Sequence, residues 1–112
     1  MKLTRKAEVD ELSQLAPPGL TPTWLEGPFT ADRLDVGVVT MSPGAATPPH
    51  VHIGGQVLVV THGHGFVEAN GDRQTLSPGD VVVSPPGESH VHGALDDESF
   101  THISVTTGGY TL

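Results

Sequence analysis

The sequence contains no cysteine, so disulfides, thiolate metal ligands and a cysteine nucleophile are all excluded. Basic residues are also scarce: 5 lysines and arginines stand against 13 acidic residues, which gives a formal net charge of −8. Nucleic acids and anionic membrane surfaces bind basic patches, so we expect neither as a partner. The sequence also lacks an apolar run long enough to span a membrane.

The first residues do not have the pattern of an export signal. Lys2, Arg5 and Lys6 resemble the basic start of a signal peptide, but the acid-rich segment 8–11 follows where an apolar segment is required. We therefore expect a cytoplasmic protein whose 112 residues fold as a single domain.

Aromatic residues make up only 4% of the chain, whereas it contains 14 glycines and 10 prolines. This composition favours short strands joined by turns over long helices. Apolar segments bounded by turn residues predict about eight to ten strands and little helix. The fold class predicted from this pattern is all-β, an antiparallel sandwich or barrel.

Three segments illustrate the strand pattern. In 34–41 the alternation predicts a strand with Gly37, Val39 and Met41 on one face. Asn70-Gly71 is the strongest hairpin signal in the chain. The continuous apolar run at 81–84, VVVS, indicates a buried strand.

The N-terminal arm, residues 1–23, leaves two structures open. A short helix at 8–15 fits the helical spacing of apolar residues there, and a strand exchanged with a partner subunit fits equally well. We expect the apolar Trp24, Leu25 and Phe29, which come next, to join the core.

Histidine is the unusual abundance: the chain has 7 of them. Alternate residues of a strand face the same side, so His50 and His52 project together, as do His90 and His92. A glycine turn at 54–55 brings Gln56 back toward the first pair. His50, His52, Gln56 and His90 are therefore the predicted ligands of one divalent transition metal: Mn, Fe, Co, Ni or Zn.

Two spaced motifs resemble those of the cupin superfamily, which are usually written G-x5-H-x-H-x3-4-E-x6-G and G-x5-P-x-G-x2-H-x3-N. The first is matched with Gln56 at the glutamate position, and the second with Ala94 at the asparagine position. The matching residues are Gly44, His50, His52 and Gly63 in the first motif, and Gly79, Pro85, Gly87 and His90 in the second. The resemblance implies a double-stranded β-helix, or jelly-roll barrel, over residues 34–107.

Within that superfamily the segments 85–94 (PPGESHVHGA) and 101–103 (THI) resemble small cupins that include the manganese-dependent hydroxynitrile lyases. This closer resemblance implies manganese as the metal and cyanohydrin cleavage or formation as the reaction. It also implies that His92 and His102 act as acid and base. The predicted substrate pocket is lined by Gly37, Val39, Phe100 and Thr106, with Phe100 added because it alternates with His102 and Thr106 on one strand.

The neutral amide of Gln56 leaves the predicted three-histidine site with a charge of about +2, where a glutamate would leave about +1. Such a site favours an anionic ligand, which supports a lyase. Gln56 also fits a role as a hydrogen-bond partner of bound water, and His92 and His102 fit a role in orienting ligands. His62 and His64 flank a predicted turn, and we expect them to be exposed.

Three functions follow from these residues. The first is a metal-dependent lyase acting on a small hydroxylated or carbonyl substrate. The second is an iron-dependent dioxygenase acting on an enolate or catechol-like substrate, and the third is a ligand-binding domain without turnover. Exposed barrel edges invite strand pairing, so we expect a homodimer or homotetramer.

Overall fold

The computed structural model describes residues 18–26 and 34–111. They form ten strands: β1 (Leu20–Glu26), β2 (Leu34–Met41), β3 (His50–His52), β4 (Gln56–His62), β5 (Gly65–Ala69), β6 (Asp72–Leu76), β7 (Val81–Ser84), β8 (Ser89–Ala94), β9 (Phe100–Thr107) and β10 (Tyr110–Thr111). The predicted all-β class is confirmed. The described part of the chain has no helix that could span a membrane.

The strands form two five-stranded antiparallel sheets, in which many neighbours are distant in sequence. The first sheet has the order β1-β2-β9-β4-β7, and the second has the order β10-β3-β8-β5-β6. Because β3 and β8 are neighbours in the second sheet, the two histidine segments meet there. Consecutive strands such as β3 and β4 lie in different sheets, as expected for a jelly roll.

Alternation along the strands builds the core between the sheets. In β2 the residues Gly37, Val39 and Met41 are buried, as the sequence predicts, while the residues between them are only partly buried. The buried apolar cluster contains Val39, Met41, Leu58, Val60, Leu76, Ala94 and Phe100. These side chains fill one half of the interior and leave the other half to the polar residues described below.

Two turns depend on glycine or asparagine in the left-handed region. Asn70 (φ 53°) and Gly71 (φ 76°) connect β5 to β6, which confirms the predicted hairpin. Gly55 (φ +87°) lies between β3 and β4, where a Cβ atom would stand 2.8 Å from the Ser84 carbonyl oxygen. This turn carries the chain from one sheet to the other and places Gln56 at the start of β4.

Two strand predictions differ from the structure. The segment 47–52 follows a Pro-Gly turn and is also predicted from the sequence to be a strand. That strand begins only at His50, because Pro48 and Pro49 have no N–H to donate to a neighbouring strand. The segment 81–84 is a strand, but Val81 and Val83 are 58% and 70% exposed. The prediction of a buried strand is therefore wrong for its outward face, because a run of valines does not tell which face is covered.

The N-terminal arm is described only in part. Residues 20–26 form β1, which pairs with β2 of the same chain. The predicted helix at 8–15 and the predicted core residue Phe29 lie outside the described residues, as do the side chains of Trp24 and Leu25. Exchange of the arm between subunits stays a prediction.

Candidate metal centre

Three histidines from two adjacent strands converge inside the barrel. His50 and His52 lie on β3, and His90 on β8 is directly opposite His50. Their ligand nitrogens all lie within 4.8 Å of one another. The ring centroids are 4.5 Å apart for His50 and His90, and 4.8 Å apart for His50 and His52. Three imidazoles at this spacing suit the binding of one divalent metal.

Hydrogen bonds to the backbone orient two of these rings. The Nδ1–H of His50 donates to the Pro48 carbonyl oxygen at 2.8 Å, and that of His90 donates to the Glu88 carbonyl oxygen at 3.2 Å. A ring that donates from Nδ1 carries its lone pair on Nε2 when it is neutral. This arrangement fixes the tautomer of a metal-binding histidine.

Gln56 lies beside the histidines. Its Oε1 atom is 2.9 Å from Nε2 of His90, and its Nε2–H donates to the Ser104 hydroxyl at 2.9 Å. A neutral His90 has one N–H, yet it faces two oxygen acceptors, the Glu88 carbonyl and Gln56. With the hydrogen on Nδ1, the lone pair of His90 Nε2 faces a lone pair of Gln56 Oε1. A cation bound by both atoms would remove this repulsion. The donor set thus fits a bound cation.

Burial keeps the cluster in the form that binds metals. Loss of hydration, together with the neighbouring His50 and His90, lowers the pKa of His52 from 6.5 to about 4. Burial also lowers the pKa of His50, although its bond to Pro48 acts in the opposite direction. Both rings are therefore neutral at pH 7, with a lone pair available for a metal.

Two more histidines extend the cluster into the barrel. The His92 ring is 5.3 Å from that of His50 and 4.8 Å from that of His102. Both side chains are buried, and His102 is completely inaccessible to solvent. Within the described residues, Nδ1 of His92 and both ring nitrogens of His102 have no hydrogen-bond partner. Buried polar atoms nearly always have partners, so these nitrogens point to a role in binding a ligand.

Both of these histidines resist protonation. Burial lowers the pKa of His92 well below its ordinary value, and the nearby His102 lowers it further. Burial lowers the pKa of His102 to about 4, and the nearby Ile103 backbone opposes this only in part. Two neutral imidazoles thus stand next to the metal ligands at pH 7.

The residues predicted to line a pocket are all buried on inner faces of the first sheet. Gly37 is paired with Ser104, and Thr106 is paired with Gln56, so both lie near the candidate ligand Gln56. Val39 and Phe100 belong to the apolar cluster, and the Phe100 ring is 5.4 Å from His102. Two of the four predicted pocket residues, Gly37 and Thr106, thus lie near Gln56, and the other two lie in the apolar core. A pocket role stays a prediction for all four.

Two supporting contacts were not predicted from the sequence. Ser104 fixes the Gln56 amide, and Thr47 accepts a hydrogen bond from the His92 backbone N–H at 3.2 Å through its hydroxyl. The alternation of β9 indicates that Ser104 faces inward, but no local pattern links it to a glutamine 48 positions away. His62 and His64 are exposed, as expected.

Several known proteins are similar to this chain in sequence. Residues 37–106 match the cupin domain family. A curated (R)-mandelonitrile lyase from Granulicella tundricola is 44% identical over 68 residues, which are 60% of this chain and 52% of the lyase. A gentisate 1,2-dioxygenase from Ralstonia sp is 28% identical over 71 residues, which are 62% of this chain and 20% of the dioxygenase. The chain thus spans about half or less of the length of these curated relatives.

Solved structures support the same assignment. A cupin-like protein from Thermotoga maritima has a TM-score of 0.72 and 38% identity, over 80% of this chain and 68% of that protein. The family match covers well over half of the 112 residues and includes every candidate metal ligand. The chain belongs to the cupin domain family, and its fold is the cupin jelly roll.

Proposed function

We propose that this cupin is a metal-dependent lyase that cleaves or forms cyanohydrins. The observation that carries the proposal is the pair His92 and His102, whose unpartnered ring nitrogens are buried beside three candidate metal ligands. The similarity to an (R)-mandelonitrile lyase supports the same reaction and an aryl-substituted substrate.

His50, His52 and His90 would hold a divalent transition metal, and the Gln56 amide oxygen is placed to act as a further ligand. We propose manganese as this metal, by resemblance to the manganese-dependent lyases. When bound, the metal supplies Lewis acidity and positive charge, which Gln56, being neutral, does not reduce. That charge favours cyanide as an anionic leaving group.

His102 and His92 would transfer the proton. In cleavage, a neutral imidazole accepts the hydroxyl proton of the cyanohydrin while the bond between the carbinol carbon and the nitrile carbon breaks. The electron pair of that bond leaves with cyanide, and the carbinol becomes a carbonyl. Because burial lowers the pKa of His102 to about 4, the ring is neutral at pH 7 and can accept the proton. Its imidazolium is a stronger acid than an ordinary imidazolium and returns the proton to cyanide.

The test uses His92→Ala and His102→Ala with mandelonitrile as substrate. We measure benzaldehyde release by absorbance, and bound metal by elemental analysis of the same samples. We expect kcat to fall roughly 10²- to 10⁴-fold in each variant, the usual contribution of an acid or base, with metal content unchanged. His64→Ala, at an exposed position, is the matched control and should keep its rate. Unchanged rates in both site variants would exclude the proposed acid and base.

The similarity to a gentisate dioxygenase favours a second candidate, an iron-dependent dioxygenase. Protein loaded with Fe(II) would then consume oxygen when gentisate or another enolic substrate is added. Mandelonitrile cleavage that continues without oxygen would favour the lyase. Saturable binding of mandelonitrile without any turnover would instead indicate a ligand-binding cupin.

A further inference from the structure

A row of four buried polar side chains crosses the inner face of the first sheet. These residues stand next to one another in register on β2, β9, β4 and β7: Asp35, Thr106, Gln56 and Ser84. Each of them is at most 8% exposed. We call them the polar row. The polar row extends from Asp35 to the Gln56 amide, which lies against His90.

Asp35 is the acidic member of the polar row, and the proposed reaction gives it no role. It is 4% exposed and shares the inner face of β2 with Gly37 and Val39, since alternate residues of a strand face the same side. Burying a carboxylate costs free energy unless cations or hydrogen-bond donors compensate. A dication bound in the same interior adds to that compensation. Such a costly group beside a candidate metal centre is expected to have a function.

Asp35 lies near enough to the metal centre to act on its charge. Neighbouring strands are about 4.8 Å apart, so two strand spacings put the Cα atom of Asp35 about 10 Å from that of Gln56. Both side chains are buried on inner faces, and Oε1 of Gln56 is 2.9 Å from Nε2 of His90. Charges at this separation interact appreciably where little water screens them. A cation held by the histidines is therefore within electrostatic range of the carboxylate.

The side chains next to Asp35 are small or polar. Thr106 lies between Asp35 and Gln56, and Gly37 and Ser104 are the next inward-facing pair on the same two strands. Ser104 accepts a hydrogen bond from the Gln56 amide at 2.9 Å. Polar surroundings therefore extend without interruption from the carboxylate to a candidate metal ligand.

The charge that is missing at position 56 is present at position 35. With Gln56 in place of a glutamate, a divalent ion and three neutral histidines have a charge of about +2. The formal charge of Asp35 lowers the total to about +1, the value that a glutamate at position 56 would give. A glutamate there would lie against His90, whereas Asp35 acts from about two strands away.

We propose that Asp35 supplies the negative charge that Gln56 does not, and thereby limits how tightly the metal centre holds an anion. The inference rests on the metal centre of the proposed function, but it does not require a cyanohydrin as the substrate. Cyanide that is stabilised as a leaving group is also retained as an inhibitor, and a nearby carboxylate weakens that retention. The same carboxylate disfavours anionic substrates and favours uncharged ones. Asp35 is thus a residue that determines specificity, and it is neither the acid nor the base.

The test compares azide and imidazole binding to Co²⁺-saturated wild type, Asp35→Asn and Asp35→Glu. Azide is a small anion and imidazole is a neutral ligand, and the visible absorption of cobalt reports the binding of each. We expect azide to bind on the order of 10-fold more tightly to Asp35→Asn, the effect of one unit charge about 10 Å away at an effective dielectric constant of about 20. Imidazole affinity should change little. Asp35→Glu keeps the charge and should bind azide like the wild type.

Asp97→Asn makes the same change of charge at an exposed position of the β8–β9 turn and is the matched control. Water and salt screen that position, so its azide affinity should equal that of the wild type. In Asp35→Asn/Gln56→Glu the carboxylate moves to the position usual in the cupin motif, and azide affinity should fall at least to the wild-type value. Asp35→Ser is neutral and smaller, and it should match Asp35→Asn because the charge is the cause.

Melting temperatures and elemental analysis of the same samples show that each variant is folded and loaded. Metal-loaded Asp35→Asn with unchanged azide affinity would overturn the role of Asp35 and leave the metal centre intact. Equal gains for azide and imidazole, or a gain in only one of the two neutral variants, would indicate a packing effect and also overturn it. A wild type that binds no Co²⁺ would overturn the metal centre and this inference together.

Discussion

The barrel interior has two halves that share the same strands and differ in side-chain chemistry. On β9, Phe100 belongs to the apolar cluster, whereas His102, two residues later on the same face, belongs to the histidine cluster. On β4, Leu58 lies in the apolar half and Gln56 lies beside His90. The inward-facing residues of a single strand therefore contribute to both halves of the interior.

The two halves differ in what they contribute to folding. Burial of the apolar side chains stabilises the fold by about 25 cal/mol per Å² of apolar surface. In the other half, each buried polar atom without a partner costs about 1–3 kcal/mol. His102 has two such nitrogens. Residues that oppose folding in this way are expected at functional sites, and the histidine half fits that description.

The largest expected effect comes from removing two ligands in the histidine half. His50→Ala/His90→Ala should lose metal completely, because only His52 of the three-histidine set remains. Elemental analysis should find about one equivalent of metal in the wild type and none in the variant. Mn²⁺ should raise the melting temperature of the wild type only, because a ligand stabilises only a fold that binds it.

The exposed pair His62→Ala/His64→Ala changes the same number of histidines outside the barrel and is the matched control. It should bind metal like the wild type. Equal metal content in all three proteins would mean that the histidine half is not a metal site.

The apolar half should respond in the opposite way. Leu58→Ala is expected to lower the free energy of unfolding by about 2–5 kcal/mol, because Leu58 is 1% exposed and its removal leaves a cavity. Urea denaturation gives this value, and Thr75→Ala on the exposed edge should change it little. Folded Leu58→Ala should still bind one equivalent of metal, and a loss of metal there would show that the two halves are not separable.

The sequence predicts the positions of the clustered histidines better than it predicts the hydrogen bonds around them. Strand alternation and the spacing of His50, His52 and His90 are local patterns, and each histidine lies where its pattern predicts. The contact between Gln56 and Ser104 spans 48 positions, and only the order of strands in the sheet brings these residues together. Such contacts depend on topology, which no local pattern encodes.

The run at 81–84 is a second case in which a local pattern predicts the element but not its surroundings. Its valines predict a strand, and β7 is one. Burial on its outer face depends on what packs there, and no described part of the same chain buries Val81 or Val83. An apolar sequence favours burial of a surface, but it does not identify the molecule that buries it.

Acid should destabilise the histidine half. The pKa of His102 is about 4 in the folded protein and 6.5 when unperturbed, so between these values the unfolded chain binds more protons. The metal-free protein should therefore lose stability as the pH falls from about 6.5 to about 4, by on the order of 3 kcal/mol from this residue. Urea denaturation across that range should show a smaller loss for His102→Asn. An identical pH dependence in the two proteins would contradict the buried neutral state of His102.

The smallest expected effect tests whether the Gln56 amide is held in place for the metal. Ser104→Ala removes the hydroxyl that accepts the Gln56 Nε2–H, and leaves the three histidines untouched. Supporting hydrogen bonds of this kind are typically worth about 10- to 100-fold in metal affinity, so we expect Mn²⁺ to bind roughly 10-fold more weakly by calorimetry. Ser104→Thr keeps a hydroxyl and should recover most of the affinity. In Gln56→Ala, the change at Ser104 should have no further effect, because the amide that it orients is gone; a full additional loss would show that Ser104 does not act through Gln56.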